Sequence, residues 1–580
     1  MQRTQLVLSV LAVAAAAAAP QVVAQEPPSE EPAGAFGETI DVTVVDVHAV
    51  VTDADGKRVT GLGPDDFRLL VDGREVPIAF FDEVRGGAVV APPPAPEPAG
   101  RPVRTAGLAP GAAAPASYVV FVDDYFGMPR DRNLVLDRLA DQLSSLGPRD
   151  QVAAVAFDGD RLDLLFGWTA DREQIARGLA EAKKRKGWKA LVEQRREQGS
   201  TGEVAGEEIG YREARLKARQ LAKVYQALMV TLEAFAGAPG RRVGLLVSGG
   251  WPFRVTAGEP GVSARPDWAA RGALERVAAT ANSVGFTLYP IDAPGVETVG
   301  GTATEAASAL VSDAADGGPP PPPRGVGLSQ DLRDELSEPD TTLMDFPEGP
   351  IYAATVGEFQ KEVALLTLAA RTGGKAMING ERLTALAEAA TDAGTYYWLG
   401  FEFDRRRDGD FHTIHLETTR PGLEVRARQG WVDLTRGVEA ALVTQRAVML
   451  GVDPSANGDG AGPRHDELAI DLGEARRAGR RKVDLPFAVT IPMDRIVLQR
   501  TPKGTFARLE LRIVTMDDEG NRSDLNTLLL ELPIDARTAR LPAISYEAAV
   551  RIQREPHALV FTLTDKVGGS LMVSRRDWKP

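Results

Sequence analysis

The 580-residue sequence contains no cysteine. That excludes disulfide staples, thiolate metal sites, thiol nucleophiles and a lipid-modified cysteine behind a leader. Histidine is almost as scarce, with His48, His412, His415, His465 and His557 making up the whole complement. Positive charge is also in deficit, 67 basic against 81 acidic residues for a net −14. Binding to a phosphate backbone draws on clustered Lys and Arg, so no nucleic-acid partner is expected. Beyond the first twenty residues no apolar run is long enough to span a bilayer, and no transmembrane segment is expected.

The apolar run that does exist is "MQRTQLVLSVLAVAAAAAAP", with small residues at Val22 and Ala24. It reads as a signal peptide over 1–24 and implies export, to the periplasm or outside the cell. Arg3 is its only charged side chain, so its removal would leave −15.

Residues 25–37 form a Pro- and Glu-rich lead-in. A β module follows over 38–88, with β-branched residues at period two and Asp-Gly turns at Asp55-Gly56 and Asp72-Gly73. A Pro/Ala/Gly-rich linker occupies 89–116. Over 117–393 strands alternate with helices, which predicts an α/β sheet covered on both faces. Insertions interrupt it near 183–237 and 299–350. The first carries a charge run read as a solvated face, then an apolar stripe through Leu221, Val224, Tyr225, Leu228, Leu232 and Phe235. Strand patterns return over 394–436. They are expected to complete a sandwich with 38–88, because each segment alone has too few strands to bury two faces. A separate β-sandwich is expected over 437–580.

The signatures "VTGLGPDDFRLLVDGREV", "VVFVDD" and "RPGLEVRARQGW" stand in this order along the chain. Together they resemble the VWFA-related acidobacterial domain family, exported proteins built on a von Willebrand factor type A fold. The resemblance covers about 38–435. It implies a vWA-like doubly wound sheet inserted in an N-terminal β-sandwich module and followed by a C-terminal one.

In the type A fold a divalent ion sits at the end of the central strand, held by D-x-S-x-S, a Thr and a later Asp. Here Asp123 holds the first position and Asp124 follows it, but Tyr125 and Gly127 stand where hydroxyls belong. The later strand ends in "LLVSGG", with Gly249 in place of the aspartate, and Thr201 falls only loosely where the Thr is expected. Hard cations need oxygen ligands, so the count favours a degenerate site whose acidic pair caps the turn and faces solvent, with no cofactor. The alternative is a retained Mg²⁺ or Mn²⁺ site at Asp123/Asp124 serving metal-dependent adhesion.

Other constellations are weak. His412 and His415 lie three apart on a strand and point to opposite faces. Ser248 has no histidine nearby in sequence and no elbow glycine two residues before it, so a hydrolase reading is disfavoured. The turns around Asp53, Asp55, Asp158, Asp160, Asp517 and Asp518 are short of a calcium loop. The cluster Tyr396, Tyr397, Trp398 should divide between core and interface. The expectation is a non-catalytic protein-binding or scaffolding protein. Its ligand-facing loops would carry Asp123, Asp124, Tyr125, Phe126, Gly127, Ser248, Gly249 and Trp251.

Overall fold

The computed structural model describes residues 42–90, 109–186, 206–251, 268–294, 362–450, 466–502, 504–517, 523 and 526–580. The leader, the lead-in, most of the linker, Thr201, His465, Asp518 and the insertion near 299–350 lie outside the described residues. The chain divides into two compact units, one mostly 44–402 and 407–465, the other mostly 466–580.

In the larger unit a five-stranded sheet runs in the order Phe286–Asp292, Arg241–Ser248, Ala116–Asp123, Gln151–Phe157, Leu162–Thr169. The first four strands are parallel and the last is antiparallel. Every residue of Ala116–Asp123 is buried, as an unbroken apolar run in a doubly covered parallel strand requires. Alternate side chains serve two cores. Val119 and Phe121 pack with Leu221, Val224, Tyr225, Leu228, Leu232 and Phe235 of the stripe anticipated in the first insertion. Tyr118, Val120 and Val122 pack with Leu136, Leu139, Ile175 and Leu386 from helices on the other face. These helices are Pro129–Asp141, Arg172–Ala182 and Ala385–Gly394.

The flanking β segments do more than meet face to face. Strand Thr395–Asp404 lies between Val42–Thr52 and Phe80–Arg85 in one sheet, and Phe411–Thr418 pairs with Phe67–Val71 in a second. Phe67 of the second sheet packs on Phe81 and Tyr397 of the first, with centroids 5.6 and 5.1 Å apart. The Tyr397 hydroxyl accepts from the Leu62 amide and donates to the Val59 carbonyl, both at 3.0 Å. Asp72 and Gly73 both take positive φ, 49° and 73°, the geometry a two-residue hairpin needs.

One element was not anticipated. Residues 437 onward were expected to begin a β-sandwich, yet Arg436–Leu450 is a helix. Its Leu442, Val438 and Leu450 join the core that holds Leu221 and Phe235. The period of Val438, Leu442 and Met449 is weak beside the strong strand patterns that follow.

The smaller unit contains a six-stranded and a four-stranded sheet whose inner faces share one core. Strand Lys482–Pro492 alternates perfectly, turning Val483, Leu485, Phe487, Val489 and Ile491 inward.

Candidate functional site

The acidic doublet ends the central strand, as the sequence indicated, but it does not face solvent. Asp123 and Asp124 are both 0% exposed. The expectation of a solvent-facing pair is therefore corrected, and the reason lies in what surrounds each carboxylate.

Asp123 is saturated by donors. Its Oδ1 accepts from the amides of Tyr125 and Phe126, each at 3.0 Å. Its Oδ2 accepts from Ser248 Oγ and Trp251 Nε1, each at 2.8 Å. A carboxylate offers about four lone-pair sites, and here four donors point at them. Burial pushes the carboxyl above its ordinary range while those four hydrogen bonds pull it back. Trp251 is fully buried and its ring meets Tyr225 edge-on at 5.4 Å, so the indole donor is held by packing.

Asp124 is neutralised by cations. Its Oδ1 pairs with the Arg132 guanidinium, which is itself 0% exposed, and its Oδ2 accepts from Arg185 Nε at 2.6 Å. Arg132 spends its remaining donors on Asn133 Oδ1 and on the Lys183 and Arg185 carbonyls beyond the helix Arg172–Ala182. Arg185 Nη1 also reaches Asp163 Oδ2 at 2.8 Å. The pairing with Asp124 and Asp163 holds the Arg185 guanidinium above its ordinary range against the opposing effect of burial.

Two glycines hold positions at which the resemblance expects oxygen ligands. A Cβ on Gly127 would lie 2.6 Å from the Asp123 carbonyl oxygen, and one on Gly249 would lie 2.1 Å from the Phe126 carbonyl oxygen. The two loops are packed backbone against backbone, so neither a serine nor an aspartate fits at these places. Tested against an implied divalent ion, the residues present do not fit. The donor set is amide, hydroxyl, indole and guanidinium hydrogens, and a hard cation needs oxygens.

Of the eight residues expected to face a ligand, Asp123, Asp124, Gly127, Ser248, Gly249 and Trp251 are buried. Tyr125 and Phe126 are partly exposed, with their rings in edge contact at 4.8 Å. The Tyr125 ring also lies over Gly159, where a Cβ would come within 2.6 Å of its Cδ2.

Sequence reasoning missed Arg132 and Arg185. Arg132 occupies the buried stripe of its helix with Val135, Leu136 and Leu139, and an arginine at a core position was the available signal. Arg185 stands in a charge run whose pattern reads as a solvated face. Its partner lies 61 residues away, and nothing local announces it.

The remaining candidates resolve into structural roles. Ser248 Oγ donates to Asp123, not to a histidine. His412 bonds Asp72 at 2.8 Å and stacks on Trp431, while His415 stands beside Glu417. Asp53 and Asp158 accept backbone amides of their own turns. Tyr396 and Tyr397 are both buried, and Arg241 sits 4.8 Å over the Tyr396 ring.

No family model and no curated protein matches the chain. Among solved structures it is similar to the N-terminal domain of TFIIH p34. That match has 14% identity, covers 30% of this chain and 79% of the other, and has a TM-score of 0.14. It is also similar to the pilus adhesin SpaC from Lactobacillus rhamnosus GG. There the identity is 9%, the coverage 94% of this chain and 62% of the other, and the TM-score 0.23. A third, the structural-genomics target SoR45, has 15% identity, coverage of 19% and 81%, and a TM-score of 0.13. Superpositions this poor carry no functional argument.

Proposed function

We propose that the chain is an exported, non-catalytic protein-binding or scaffolding protein of the VWFA-related kind, with a vWA-like sheet whose ion site has been replaced by internal hydrogen bonds. The reading is supported above all by the four donors that fill the Asp123 carboxylate. Metal-dependent adhesion through the doublet would require Asp123 to surrender those bonds and Asp124 to displace two guanidinium groups. Breaking one buried ion pair alone costs about 3–5 kcal/mol. Ligand contact on this side of the sheet falls to Tyr125 and Phe126, whose partly exposed rings suit a protein partner.

Calorimetry with Mg²⁺ and Mn²⁺ tests the first half of the reading. Neither the wild type nor Asp123→Ala should give saturable heat at sub-millimolar metal. A wild-type isotherm that the substitution abolishes would overturn it. The second half is tested by crosslinking in the native envelope followed by mass spectrometry. A specific protein adduct should be lost in Tyr125→Ala/Phe126→Ala while circular dichroism shows the variant still folded.

A further inference from the structure

The strongest feature that this reading does not use lies in the smaller unit. The segment "EARRAGRRK", residues 474–482, places Arg476, Arg477, Arg480, Arg481 and Lys482 on one hairpin. Arg476 and Arg477 pair with Asp484 and Val483, and the Ala478 amide donates to the Lys482 carbonyl at 3.0 Å. Gly479 closes the turn at φ +143°. From the neighbouring strand the Arg554 amide donates to the Arg481 carbonyl at 2.8 Å, which sets a sixth cation at the same end of the sheet.

Five of these residues are exposed and Lys482 is half-buried. None of the six side chains makes an ion pair or a hydrogen bond with any described residue. The carboxylate opposite Arg476 in the strand register, Asp484, is already held at both oxygens by Arg551, at 2.6 and 2.9 Å. Glu474 and Glu555 flank the group and are exposed. Residues 478–482 line a shallow recess at the tip.

We propose that this tip docks on anionic lipid headgroups, with phosphate oxygens taking the guanidinium forks of Arg476, Arg477, Arg480 and Arg481. Planar forks match oxyanions two bonds at a time, which a lysine-rich tip would not do. The segment carries no aromatic residue on which bases could stack, so a single-stranded nucleic acid finds no platform. The chain as a whole has 14 more acidic than basic residues. A polyanion wrapping the molecule would meet that excess. A surface touched at the tip alone meets the local charge, and charges farther away than the Debye length of about 8–10 Å are largely screened. Each basic side chain near an anionic bilayer strengthens partitioning about five-fold.

The test is co-sedimentation of the full chain with phosphatidylcholine vesicles, with and without phosphatidylglycerol. Binding should require phosphatidylglycerol and weaken steeply with added salt. It should fall about a hundred-fold or more when Arg476, Arg477, Arg480 and Arg481 are all changed to Gln. These side chains are exposed, so the variant should melt at the wild-type temperature. The proposal is overturned if the wild type ignores anionic vesicles at low salt or if the quadruple variant binds as well as the wild type. It is equally overturned if heparin binds through the same arginines while vesicles do not, since the partner would then be a soluble polyanion.

Discussion

At the scale of single residues, the behaviour of charge in this protein is set by burial. His48 shows it most clearly. Burial, with Arg241, Arg242 and Arg428 nearby, depresses its imidazole to about 3 despite the opposing pull of Asp46. The unfolded chain takes up a proton below about 6.5, but the folded chain does not until about 3. Stability should therefore be full above pH 6.5 and fall as pH drops through that window, by about 1.4 kcal/mol per unit. Urea denaturation at pH 7 and pH 5 should differ by about 2 kcal/mol from this residue. In His48→Gln that part of the difference should vanish, and an unchanged slope would count against the assignment. The scarcity of histidine was plain in the sequence. Which histidine packs among arginines was not, because Arg241 and Arg242 lie nearly 200 positions further on.

At the scale of elements, the decisive contact is between two loops, one after Asp123 and one after Ser248. The sequence displayed Gly127 and Gly249 as missing ligands. The structure gives the cause, which is close packing of one backbone on another. Introducing the type A ion-binding pattern with Gly127→Ser and Gly249→Asp should therefore fail twice. The double variant should lose more than about 2 kcal/mol of stability by urea melts, since backbone atoms must move to admit both side chains. It should also gain no Mg²⁺ binding in calorimetry. Tight binding in a well-folded double variant would show that the glycines, and not the donors around Asp123, are what keep metal out. The strands and helices around these loops were legible in advance. The buried strand Ala116–Asp123 and the Leu221-to-Phe235 stripe both follow from periodicity. The helix Arg436–Leu450 is not legible in this way, since its apolar positions read weakly beside the strands that follow.

At the scale of the whole molecule, the β strands before and after the α/β sheet depend on one another. The sequence required them to meet, since neither set could cover two faces. It did not reveal that Thr395–Asp404 would insert between Val42–Thr52 and Phe80–Arg85. A fragment spanning 42–90 lacks that central strand and also the partner of Phe67–Val71. It should show a collapsed amide spectrum and no cooperative melt, whereas the chain spanning 42–450 should melt cooperatively. Well-dispersed amide signals from 42–90 alone would contradict the interleaving.

The sequence by itself determined the alternation of strand and helix, the stripe of each buried face and the shortage of oxygen ligands beside Asp123. All three are local, because they depend on residue type and on periods of two or 3.6. Only the tertiary structure decided that the acidic doublet is sealed, since its partners Arg132, Arg185, Ser248 and Trp251 come from up to 128 positions away. A carboxylate's fate depends on which donors folding brings within about 3 Å, and a linear chain does not record that distance.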